Sequence, residues 1–132
     1  MKWILDTDTV VYYMRAMRAV VQRLETTSSA DRYLTLITLG ELYFGIQRST
    51  RAERNLGRYR RFFARVKIVP FTPAVAERFG ALKANLTTRG KIIADHDLWI
   101  AAHALVYGAT LVTNNERDFV RISGLRIANW TN

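Results

Sequence analysis

Eleven acidic residues in a chain of 132 are placed unevenly. Glu25, Asp31, Glu53 and Glu77 have ordinary polar neighbours, whereas several others stand against apolar segments. Asp6 follows Trp3–Ile4–Leu5, and Glu41 lies between Thr38–Leu39–Gly40 and Leu42–Tyr43–Phe44. Asp95 and Asp97 bracket His96 just before Leu98–Trp99–Ile100–Ala101–Ala102. Carboxylates brought together repel: two of them about 4 Å apart cost roughly 4 kcal/mol at a surface-like effective dielectric. A divalent cation offsets that repulsion directly. The chain has no cysteine and histidine is a minority option, so the oxygen-rich donor set points to Mg²⁺ or Mn²⁺ rather than zinc.

Other chemistries find less support. The absence of cysteine excludes a thiol nucleophile, a disulfide scaffold and an iron–sulfur site. No serine nucleophile elbow and no Gly-rich phosphate loop is present. His96 and His103 could suggest general acid–base work, but His103 lies six residues beyond Asp97 along a helix and points elsewhere. A net charge of +9 favours a polyanionic partner, nucleic acid first. Arg51, Arg54, Arg58, Arg61 and Arg65 follow spacings of 3, 4, 3 and 4, which aligns them on one helix face. Such a face is ordinarily just solvated. Here only Glu53 interrupts it, and guanidinium groups suit bidentate contact with phosphate, so Arg58 and Arg61 are candidate substrate contacts.

The elements that must position these groups follow from periodicity and caps. Lys2–Leu5 reads as a strand ending at Asp6, and Val10–Leu24 as a helix. Tyr33–Ile37 is a second strand, after which Thr38-x-x-Glu41 fits a capping box opening a helix to about Arg48. That box offers Glu41 a structural role beside the chemical one. A further helix begins at Arg51, Lys67–Phe71 is a third strand, and Thr72–Pro73 sets an N-cap and first helical residue. That helix stops at Arg89–Gly90. Asp95–Tyr107 is helical, with Asp95 as its expected N-cap and Asp97 complementing its dipole or serving a site. Two residues apart, these acids do not share a helix face. Ala109–Thr113 and Leu125–Trp130 complete five strands. Alternating β and α segments imply an α/β domain spanning residues 1–132, with a parallel sheet covered on both faces and its site at the strands' carboxyl ends. The opening residues lack the apolar length of a signal peptide, and no run reaches a membrane span, so a soluble, cytoplasmic protein is expected.

Four segments together carry a resemblance. Leu5-Asp6-Thr7-Asp8, Thr38-x-x-Glu41-Leu42, Asp97-Leu98-Trp99-Ile100-Ala101-Ala102-His103 and Leu111-Val112-Thr113-Asn114-Asn115 look like the signatures of PIN-domain ribonucleases. More narrowly they resemble the VapC toxins of toxin–antitoxin pairs, in family order across essentially the whole chain. The resemblance implies a sheet of order 3-2-1-4-5 and a magnesium-dependent endoribonuclease cleaving RNA. It implies that Asp6, Glu41 and Asp97 are catalytic and hold the metal. The fourth family position falls on Asn115, where a neutral oxygen, or Glu116 or Asp118 nearby, could complete the set; Asp8 adds a further carboxylate. Thr113 and Asn115 would orient the water or the phosphate. A VapB-like antitoxin and a homodimer are the expected partners, with Val11, Tyr12 and Met14 as exposed apolar contacts. The alternatives are a PIN-fold nucleic-acid-binding subunit with a degraded acid site, which Asn115 keeps open, and a metal phosphatase acting on small molecules.

Overall fold

In the computed structural model, which describes residues 1–132, the chain opens with β1 (Trp3–Leu5) and continues through α1 (Thr7–Met14) and α2 (Arg18–Glu25). A short 3₁₀ turn at Ser29–Asp31 leads into β2 (Arg32–Leu34), α3 (Leu36–Arg48) and α4 (Ala52–Phe63). Then come β3 (Lys67–Ile68), α5 (Pro73–Thr88), α6 (Asp95–Tyr107), β4 (Thr110–Val112), α7 (Glu116–Phe119) and β5 (Ile127–Ala128). The five strands are parallel in the order β3-β2-β1-β4-β5, as the resemblance implied. The chain therefore winds outward from β1 to β3, then crosses back to β4. The crevice beyond the carboxyl ends of β1 and β4 is the topological switch point.

Period-two alternation builds a core on each face of the sheet. Ile4 and Leu111, paired across β1 and β4, pack with Leu98, Ile100, Ala101 and Phe119. Leu5 and Val112, the next pair along, face the other way onto Val10, Val20, Leu24, Phe62 and Trp130. One slip of register would turn each set to the wrong side.

Several ends lie where single residues put them. Thr72 caps α5, its Oγ1 accepting from Val75 N at 3.4 Å, with Pro73 as the first helical residue. Gly108 closes α6 in the left-handed region at φ 62°, and Gly90 follows α5 at φ 67°.

Elsewhere the structure corrects the sequence reading. The expected helix Val10–Leu24 is two helices, broken where Ala16 takes φ 61°; α1 begins already at Thr7, with Asp6 as its cap. β2 stops at Leu34 because Thr35 turns out of the sheet and caps α3, accepting from Thr38 N at 3.0 Å. Thr38 and Glu41 therefore form no capping box, and the Glu41 carboxylate is left to face a cleft. Asp95 is the first residue of α6, not its cap; it pairs with Lys83 at 3.0 Å. β3, β4 and β5 are shorter than expected, and α7 is an additional turn of helix. Val11, Tyr12 and Met14 are half-buried against the second core, not exposed. No helix is long and apolar enough to cross a membrane.

Candidate active site

Asp6 is the residue at which β1 becomes α1. Its backbone N–H still donates to Val112 O at 2.9 Å, so the sheet fixes its position. Its Oδ1 accepts from Thr7 N at 2.8 Å, capping α1, and its Oδ2 accepts from the Thr113 hydroxyl at 2.7 Å. Asp97 stands in the first turn of α6 and Glu41 in the second turn of α3. Together with Thr7, Asp8, Tyr12, His96 and Asn115, these three acids line one open cleft beyond the carboxyl ends of β1 and β4. Residues separated by 35 and 56 positions thus meet because the switch point brings β1, α3 and α6 to one edge.

Electrostatics show how close that meeting is. Asp6 is pushed up to about 7, first by burial and next by the charge of Asp8, against the hydrogen bonds from Thr113 and Thr7. Burial also raises Asp97; Glu41, Asp118 and Asp8 add to the rise, and His96 opposes it. Asp8 is raised by burial although Asn114 N donates to its Oδ2 at 3.1 Å. Helix N-termini at α1 and α6 supply partial positive charge to this end, but not enough to keep Asp6, Asp8 and Asp97 at their ordinary acidity.

The carboxylates have protein partners. The Thr7 hydroxyl donates to Glu41 Oε1 at 2.7 Å. His96 Nε2 lies 3.4 Å from Asp97 Oδ1 and 3.7 Å from Glu41 Oε2, bridging the two acids. In this arrangement no three of the acidic and histidine side chains converge on a chelating point. The donor chemistry nevertheless fits a hard cation: oxygen ligands from three elements, destabilised by their own repulsion and burial.

Of the other sequence-derived residues, Thr113 is fully buried and its hydroxyl donates to Asp6. It also accepts from Asn115 N at 3.0 Å. Asn115 Nδ2 donates to Asp118 Oδ2 at 3.2 Å while the residue lines the cleft. Arg58 lines an adjoining cleft of about 400 Å³ that shares Thr7 and Glu41 with the acidic one, and its Nη2 donates to Met14 O at 2.7 Å. Arg61 is solvent-exposed one turn further along α4 and lines neither cleft. His103 is buried within α6, its Nδ1 2.7 Å from Trp99 O. Thr7 is a cleft residue that the sequence reading does not single out, and His96, raised there for acid–base work, stands in the cleft as a bridge between two acids. The signal for Thr7 is adjacency, since it directly adjoins Asp6.

A parallel sheet in this order, with acids from three segments gathered at its switch point, defines a PIN domain. The PIN-domain family model matches residues 3–125, and the chain belongs to that family. Within it, the chain is similar to VapC ribonucleases. It is 36% identical over 130 residues to Ribonuclease VapC2 of Haemophilus influenzae, covering 98% of each chain. It is 31% identical over 131 residues to the tRNA(fMet)-specific endonuclease VapC of Shigella flexneri, covering 99% of each. Among solved structures, DNA-bound VapBC from Salmonella typhimurium superposes with a TM-score of 0.92 at 32% identity, with 98% of each chain covered. VapBC-1 from nontypeable Haemophilus influenzae gives 0.90 at 30% identity, with all of each chain covered.

Proposed function

We propose that this chain is a VapC-type endoribonuclease toxin, dependent on Mg²⁺ or Mn²⁺ and neutralised by a VapB-like antitoxin. One observation carries the reading: Asp6, Glu41 and Asp97, far apart in sequence, line a single cleft at the sheet's switch point. The relatives named ribonucleases and the toxin–antitoxin complexes with the same fold support it.

Asp6, Glu41 and Asp97 would hold the cation. When bound, it supplies neutralisation of phosphodiester charge and activation of water for in-line attack. The chain's own groups do the rest. Thr113 and Thr7 hold the Asp6 carboxylate by its two oxygens, so its orientation is set before any ligand arrives. Asn115, tethered through its amide nitrogen to Asp118, presents its side chain to the cleft as a neutral polar group that would orient the phosphate or water. Arg58 and Arg61 would contact the backbone of the RNA on its way to the acids. By family likeness the protein pairs with itself as well as with its antitoxin, and it acts in the cytoplasm.

Asp97→Asn keeps the shape of the cleft and removes a ligand charge. RNA cleavage is expected to fall at least ~100-fold, with an unchanged circular-dichroism spectrum. Retained cleavage in that variant overturns the assignment. A second reading, a nucleic-acid-binding subunit without activity, is favoured by the lack of a convergent chelating set. Titration with Mg²⁺ and Mn²⁺ separates the two: cleavage that appears with the cation and vanishes with chelator excludes the inactive subunit.

A further inference from the structure

At the amino ends of β2 and β3, opposite the acidic cleft, lies a second open cleft of about 590 Å³. Its walls include Arg32, Arg65 and Lys67, with Ser29 and Glu25 beside them. Arg32 is only 5% exposed, and it is held solely by neutral acceptors: its Nη2 donates to Leu24 O at 2.9 Å and Thr27 O at 2.7 Å. Its Nε is buried without any partner. No carboxylate hydrogen-bonds this guanidinium; the nearest compensation is the through-space charge of Glu25, so a buried cation is left only partly matched. The one acid in the cleft, Glu25, is already occupied, accepting from Tyr13 Oη at 2.8 Å and Arg65 Nη2 at 3.3 Å. The cleft therefore keeps a net positive charge concentrated around one buried cation.

The arginine stripe of α4 links this cleft to the acids. Arg58 lines the groove that shares Thr7 and Glu41 with the acidic site, Arg61 follows on the exposed face, and Arg65 lines the second cleft. Arg58 and Arg61 lie on α4 and Arg65 in the turn just past its end at Phe63, so the three follow one another over a span of about 10 Å. We propose that the Arg32–Arg65–Lys67 cleft is a phosphate-binding exosite for single-stranded RNA, seating a backbone phosphate of a strand that runs along α4 from the acidic cleft. The proposal rests on the nuclease reading for its ligand, since RNA is the polyanion that the acidic cleft would cut.

The test uses the full chain carrying Asp97→Asn, so that RNA is bound and not consumed, and reads fluorescence anisotropy across a range of salt concentrations. Lys67 is exposed, and Lys67→Ala leaves the core untouched. An RNA of about 16 nucleotides is long enough to reach both clefts, whereas a dinucleotide, with a single internucleotide phosphate, fills only one. Losing one phosphate contact lowers the logarithmic salt slope by ~0.7 and weakens binding about fivefold at 0.1 M salt. Lys67→Ala is expected to do this for the long RNA, while the short RNA binds variant and parent alike. Lys91→Ala, in the loop between α5 and α6, is expected to keep the parent slope. An unchanged slope in Lys67→Ala, an equal loss in Lys91→Ala, or equal competition by poly-glutamate of the same charge overturns the exosite. A protein with intact Asp97 that cuts no RNA yet shows the Lys67 effect overturns the nuclease reading and supports the exosite.

Discussion

Asp6 ends β1, caps α1 and faces the cleft, and these demands conflict in one measurable quantity. In the folded protein it keeps its proton up to about pH 7, whereas the unfolded chain releases it near 3.8. Between those values the folded state binds more protons, so stability without divalent cation falls as pH rises from about 4 to 7. Asp6→Asn removes that dependence. In chelator, urea denaturation is expected to show the variant equal to wild type at pH 4 and more stable at pH 8, by up to about 4 kcal/mol. Thr113 acts in the opposite direction, because its hydroxyl donates to the ionised carboxylate. Thr113→Val removes that donor and orphans Asn115 N, so it should cost ~1–3 kcal/mol and move the acidic limb of the cleavage pH profile upward. Thr113→Ser, which restores the hydroxyl, should return the limb to its wild-type position. A merely structural role for Thr113 would lower stability and leave the profile in place.

Between β1 and β2 the chain breaks from α1 into α2 at Arg15–Met17, without glycine or proline. Ala16 occupies the left-handed region there, where a Cβ costs roughly 1–2 kcal/mol. Ala16→Gly relieves that cost, less the extra entropy of the unfolded chain, and should stabilise the protein by ~0.5–1 kcal/mol in thermal denaturation with cleavage unaltered. The same corner explains what could be read from sequence. Thr72–Pro73 and Gly108 carry their meaning in one or two residues, because a cap or a positive φ is a local demand, and the ends they mark are legible. The break in Val10–Leu24 is not, because the apolar period continues through it: Val10, Val20 and Leu24 all reach one core. Thr38, with Glu41 three residues on, reads as the cap of α3, yet Thr35 is the residue that caps it. Only the tertiary position of β2 decides for Thr35, and that decision frees Glu41 for the cleft. The gathering of Asp6, Glu41 and Asp97 is legible through motif order and strand alternation. The His96 bridge and the burial of Thr113 depend on side-chain directions that no spacing encodes.

Across the whole molecule the charges segregate. Twenty basic residues leave a net charge of +9, yet Asp6, Asp8, Glu41, Asp97 and Asp118 cluster at the sheet's carboxyl edge, each close enough to affect another's acidity. RNA is therefore drawn to the body of the protein and repelled by the place where it would be cut. The two effects differ in range. Attraction to the spread-out cations acts over the Debye length, about 10 Å at 0.1 M salt, whereas repulsion by the acids is felt only by the phosphate seated among them. Removing one acid should then strengthen binding when no cation is present, even where it lowers cleavage. With chelator at low salt, Asp97→Asn is expected to bind RNA up to about fivefold more tightly than wild type, the equivalent of ~1 kcal/mol for one contact repulsion in water. Adding Mg²⁺ should tighten wild-type binding and leave the variant nearly unchanged, so that the order of affinities reverses. If wild type and Asp97→Asn bind RNA equally at every cation concentration, the acids lie off the path of the strand, and the basic surface alone accounts for its capture.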